Sequence, residues 1–425
     1  MTFIDDLGHR LKQTIFGLKD DQGNVINPAT SDRQPLSAFG ESLTAQLSPV
    51  FQGSFEYTVD NTELTQNTVA NGGTVTQAEA MAVCTTSTTT ASTALLKTKQ
   101  HARYRAGMGG LGRFTALFTT GVAGTEQYIG LFDETGSGAA FKNGYGIGMN
   151  GTDFGILRFS NDSISFVSQS SFSEDVLDGT GKSGMTLDVT KLNVFEIRFQ
   201  YLGAGEIQFC IEDPNTGKFF VFHKISYANQ NNKPSCRNPN FHFIMFVNNK
   251  ATTSNMVLKC ASYGYFIEGK NELLEIHQPE FSSDIVQKTG VTTETALFTI
   301  QNKSNYSSLV NYIDILPLHF SLAVEASSAN NIANMRLIKD ASLGGSPSYS
   351  DINTSDSVVE IDTAGTTVTG GKTLFSVQLA NKNDRVFQSI GDLKIIIGPG
   401  ETVTMSVTSA NSATFDGEIL WRELF

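Results

Sequence analysis

The chain has 425 residues and a formal charge of −12 at pH 7. That acidity argues against a nucleic-acid partner, because the phosphate term would be repulsive overall. With 39 glycines, 30 phenylalanines and only 17% charged residues, the composition points to an all-β protein long enough for more than one core.

One helical pattern stands at the start. Ile4, Leu7, Leu11, Ile15 and Leu18 recur at three- and four-residue steps, which predicts a short N-terminal helix over residues 3–18. It either packs on its own domain or anchors and oligomerises the chain. Asp5 and Asp6 stand where a secretory leader is basic, and no apolar run reaches the roughly 18 residues of a membrane span. A polar connector completes residues 1–50.

Alternating runs begin at Phe51, Phe55, Tyr57 and Val59. Lys97, Lys99, His101, Arg103 and Arg105 then occupy every second position, so a continuous strand would carry all five on one face. Such a face is solvated and discourages edge pairing, or it docks an acidic neighbour such as another subunit, or it meets an anionic sugar. From Gly107 to Phe159 the pattern is strand, turn, strand. Gly-x-Gly-x-x-Gly occurs at Gly107, Gly109, Gly112 and at Gly146, Gly148, Gly151, but each precedes a strand-like run where a dinucleotide site needs a helix.

The clearest sheet signal lies at residues 192–225. Phe195, Ile197, Phe199 and Tyr201 alternate with polar residues, as do Ile207, Phe209 and Ile211. Gly203 and Gly205 supply one hairpin turn, and Asp213-Pro214-Asn215-Thr216-Gly217 a second. Strands at 241–247 and 257–266 close a large β-sandwich over residues 51–270. A charged, turn-rich linker opens residues 271–425, whose seven or so short strands suit a smaller C-terminal sandwich.

Chemistry is sparse. Cys84, Cys210, Cys236 and Cys260 form no Cys-x-x-Cys pair, which excludes a dense disulfide framework and argues against zinc; they read as mostly reduced thiols, with one disulfide left open. Glu360 and Asp362 share a face but lack a third acid at glycosidase spacing. The six histidines show no metal-ligand spacing. No catalytic, metal or cofactor residue is assigned, and the chain is expected not to be an enzyme. Tyr128, Tyr145, Asn150, Asp153, Phe154 and Asn248, near predicted loops, are the candidate glycan contacts, since aromatic faces with Asn and Asp suit sugars.

Two segments carry a resemblance. The run from Ala102 through Gly110, with Arg113–Phe118 and Asn143–Thr152, and the run Gln200–Phe209 with Tyr227–Gln230 and Pro234–Pro239, resemble a module of virus particle proteins, including tailed-phage fibre and capsid-associated ones. The tail, from Gly370-Gly371-Lys372 through Pro399-Gly400 to Leu420–Leu424, is similar to a second module that often follows it. The resemblance implies a concanavalin A-like, jelly-roll sandwich followed by a second β-sandwich. It also implies a non-enzymatic virion protein, in a fibre, tail or capsid-decorating role, with other virion proteins as partners and a homo-oligomer, a trimer, as its state. Arg105-Ala106-Gly107 departs from the Arg-Pro-Gly that related proteins often carry before the glycine-rich turn. A carbohydrate-binding adhesin engaging host surface glycan is the competing class, and a glycan-cleaving enzyme the third.

Overall fold

The stretch at 193–225 shows how the sequence builds its sheets. Phe195, Ile197 and Phe199 on the Asn193–Phe199 strand are all buried, as are Ile207, Phe209 and Ile211 on Ile207–Glu212. Period-two alternation aims each set at one core. The strands pair antiparallel with Phe195 opposite Ile211 and Phe199 opposite Ile207, and Phe219–Ile225 adds a third. In the first turn Gly203 takes φ +78°, but Gly205 is needed for another reason. A Cβ there would stand 1.3 Å from the Gln200 carbonyl oxygen, so only glycine lets the chain pass.

The computed structural model describes residues 18–19, 25–26, 47–59, 64–133, 140–269, 277–326, 332–379 and 383–425. Among these the fold is all-β; the helical pieces are two short 3-10 turns, Gln169–Ser171 and Gly391–Leu393. Of the expected N-terminal helix, Ile4, Leu7, Leu11 and Ile15 lie outside the described residues. Leu18 is corrected from helix to strand: Leu18–Lys19 pairs with Val25–Ile26.

The first sandwich stacks a seven-stranded sheet on a nine-stranded one. The former places Asp153–Ser160, Gly144–Asn150, Glu126–Phe132, His242–Asn248 and Thr93–Thr98 side by side. Gly110–Phe118 and Asn193–Phe199 are central in the latter. Ile129, Leu131, Ile147, Phe114, Phe195, Phe209 and Phe243 meet in the core between them.

A second cluster sits on the outward side of the seven-stranded sheet: Tyr128, Phe132, Phe141, Leu157, Phe159, Ile244 and Phe246. Glycines make it. Gly144, Gly146 and Gly148 bring no side chain to that side, and the Phe132 ring lies over Gly146, where a Cβ would come within 2.2 Å of it. Phe141 stacks on Phe132 with ring centroids 4.2 Å apart, so the sheet is closed over by its own aromatic rings.

In the second sandwich Asp314–Ala326 and Ala413–Leu424 pair along their whole length, from Asp314 opposite Leu424 to Ala326 opposite Ala413. They face a six-stranded sheet centred on Thr295–Asn302 and Thr402–Ser409. Trp421 is fully buried, and its Nε1 donates to Glu423 at 3.2 Å. Glu423 also accepts from the Ser357 hydroxyl and the Val358 amide. Burial pushes this carboxyl up, and its three donors oppose that shift.

All four cysteines are buried free thiols, which closes the alternative of one disulfide. Burial pushes Cys210, Cys236 and Cys260 up to about 12, and Cys84 up as well, so the reactive thiolate is disfavoured at each.

Candidate functional site

The basic series does not form one strand face. Thr93–Thr98 ends and the chain bends at Lys99 and Gln100. Lys97 is on the strand, Lys99 is exposed on the bend, His101 is buried, and Arg103 and Arg105 are half-buried in the crossover to Gly110–Phe118. Alternation of residue type outlives the ladder here; between the two strands a lone bridge, Ala102 to Phe241, ties this segment to a neighbouring one.

Arg103 reaches an acid in the same chain. Its Nη2 donates to Asp314 Oδ2 at 2.6 Å, and the two side chains are 16% and 10% exposed. Asp314 opens the Asp314–Ala326 strand, so the pair is a seam between the two sandwiches. His101 Nε2 lies 3.8 Å from the same carboxylate oxygen, beyond hydrogen-bond reach. Its ring stands edge-on to His242 at 5.7 Å and to Tyr312 at 6.4 Å.

Beside this seam the two bodies leave a cleft of about 840 Å³, a volume within the range of small-ligand sites. The first sandwich contributes Gln66, Lys97, Lys99, His101 and His242, and the second contributes Tyr312, Asp314 and Lys394. No stretch of sequence announces this site, because its walls come from segments some 300 positions apart.

Burial, then the neighbouring His101 and Lys97, hold His242 well below the usual imidazole range. It is therefore neutral in the folded protein. The unfolded chain takes up this proton near pH 6.5 and the folded chain does not. The associated stability is full above about pH 6.5 and is lost as the pH falls toward the depressed folded value. Melting temperatures of His242→Gln between pH 7.5 and 5 are expected to fall less steeply than those of the parent; parallel curves would remove His242 as a cause.

The glycan candidates divide. Tyr128, Tyr145 and Phe154 are corrected from sugar platforms to core. Tyr128 is enclosed in the outward aromatic cluster, its hydroxyl donating to Glu126 at 3.1 Å. Tyr145 is wholly buried, its hydroxyl 2.7 Å from the Ser235 hydroxyl, and Phe154 packs edge-on to Phe118. Asn150 and Asp153 are exposed at the Gly144–Asn150 to Asp153–Ser160 turn, and Asn248 is half-buried. Register lines Asn150, Glu126 and Asn248 across three neighbouring strands, a polar rim at the opposite end of the sheet's outward side from His242. Asp362 is spent on backbone amides: it accepts from Ser348, Ala364 and Gly365. Among the described residues no group of His, Cys, Asp and Glu could hold a metal ion.

No protein family matches the sequence as a family, and no curated protein matches it. Solved structures are similar in fold. A glycosyl hydrolase family protein from Mycobacterium fortuitum is 11% identical, with a TM-score of 0.36, over 51% of this chain and 99% of that one. A β-glucanase from Bacillus licheniformis is 11% identical, with a TM-score of 0.34, over 53% and 100%. A legume lectin-like domain from Entamoeba histolytica is 12% identical, with a TM-score of 0.32, over 52% and 98%. Glycoside hydrolases thus stand among the similar structures, against the expectation that the chain is not an enzyme. At these identities and TM-scores the likeness is one of fold and assigns this chain neither reaction nor substrate.

Proposed function

We propose that this chain is a structural protein displayed on the outside of a virus particle, assembled in the host cytoplasm, that touches host-surface glycan. The observation that carries the reading is the seam. Arg103 and Asp314 lock two β-sandwiches into one two-bodied unit and leave a polar, sugar-sized cleft at the join. The sequence resemblance to virus particle modules supports the same reading. Sheet edges support self-association, whose trimeric state is taken from the resemblance: Ser163–Ser168 and Arg385–Ser389 each end a sheet with one side unpaired among the described residues, and Phe387 is 69% exposed on the latter.

The full chain is tested on a glycan array and by sedimentation equilibrium. Specific glycan binding, lost on Gln66→Trp because the indole fills the cleft, is the expected result, together with a trimer mass. Gln66 is exposed, so the substitution leaves the fold intact. Absence of any glycan binding overturns the attachment role, and a monomer at all concentrations overturns the assembly role.

A further inference from the structure

We infer that the cleft between the sandwiches holds an acidic sugar, one bearing a carboxylate, gripped from both bodies at once by Lys99 and Lys394. The inference rests on the glycan-contact reading above and names the chemical class of that ligand.

The charged groups around the cleft are unevenly paired. Every acid in the cleft wall has a partner within the protein. Asp133 accepts from the Asn143 amide and side chain at 2.6 and 2.7 Å, and Asp314 takes Arg103. Asp340 accepts from the Thr402 amide at 3.0 Å, and Glu401 takes Lys339 at 2.8 Å and the Gly398 amide at 2.7 Å. The cations are not all spent. Among the described residues Lys99 and Lys394 have no acidic partner, and both are exposed. A cleft whose acids are satisfied while Lys99 and Lys394 are not favours an anion, even in a protein of net charge −12.

A second observation points the same way. His101 lines this cleft with its side chain 3% exposed, and its Nε2 has no hydrogen-bond partner. A buried polar atom left unmatched costs free energy until some oxygen meets it. Lys394 lines the cleft from the second sandwich, at the end of the Gly391–Leu393 turn, which it caps in the left-handed region at φ 50°. Lys99 comes from the first sandwich and Lys394 from the second, so a bound anion would bridge the join.

Titration calorimetry of the full chain tests this with trigalacturonate, its neutral counterpart galactotriose, and inorganic sulfate. The acidic trisaccharide is expected to bind at least tenfold more tightly than the neutral one. Lys99→Gln and Lys394→Gln should each weaken it roughly fivefold, the size of one solvent-screened charge contact, without moving the melting temperature. His101→Gln should weaken it too, and the two lysine variants keep the test valid if that variant misfolds. Equal binding of both sugars, untouched by the lysine variants, overturns the acidic class and leaves the glycan reading standing. Binding of no sugar overturns both. Sulfate binding as tightly as trigalacturonate, with the same lysine dependence, marks an adventitious ion only and overturns the sugar assignment.

Discussion

Asp314→Ala is expected to cost about 3 kcal/mol and to split thermal unfolding into two transitions, one for each sandwich. The carboxylate is 10% exposed and holds Arg103, itself 16% exposed. Removing it strands a guanidinium in a seam with no acceptor, and Arg103 Nε already lacks a hydrogen-bond partner there. The loss is that of an uncompensated buried charge, which exceeds what the intact pair contributes. Asp314→Asn keeps an oxygen for Arg103 to meet, so its cost should be smaller and its unfolding closer to a single event. Differential scanning calorimetry reads both. A single, unshifted endotherm for the alanine variant would mean that the seam holds nothing together.

Glu196→Ala is the counterpart within the first sandwich. Glu196 is fully buried on the outward side of the nine-stranded sheet, between two arginines. Arg113 donates to it through Nε at 2.8 Å and Nη2 at 2.5 Å, and Arg198 donates through Nε. The Arg113 guanidinium also lies 4.6 Å above the Phe219 ring. Without the carboxylate the two guanidinium groups face each other. Because the arginine side chains are 43% and 41% exposed, water offsets part of that repulsion. The expected cost is about 2–3 kcal/mol, below the usual range for breaking a fully buried pair. It should appear as a lower urea midpoint for the first sandwich at unchanged slope, partly restored by salt. A midpoint shift below about 0.5 kcal/mol equivalent would show the carboxylate to be dispensable.

Sheets were legible where one face alone is apolar. Phe195, Ile197 and Phe199 declare their side because Glu196 and Arg198 alternate with them. The Glu126–Phe132 strand is buried along its whole length, so alternation has nothing to report. Tyr128 and Tyr145 therefore looked like accessible aromatics, and only the neighbouring glycine strand explains how rings pack on both sides of that sheet. The basic series misled for the opposite reason. Its two-residue spacing persists past Thr98, yet the hydrogen bonds that give such spacing a meaning stop there. Nothing near Arg103 hints that its acid stands 211 positions on. A pairing of that separation belongs to the arrangement of the two bodies, which local patterns do not encode.

The crossover at 99–109 has a bearing on the order in which the molecule can be finished. It joins the two layers of the first sandwich, and Asp314 secures it. Asp314 is in turn aligned by a strand made about a hundred residues later, since it sits opposite Leu424. Amino-terminal domains ordinarily fold as they emerge during translation. Here the earlier body waits on the later one for its final brace, and the nascent chain carries an unsecured arginine at its waist until that later strand pair is made.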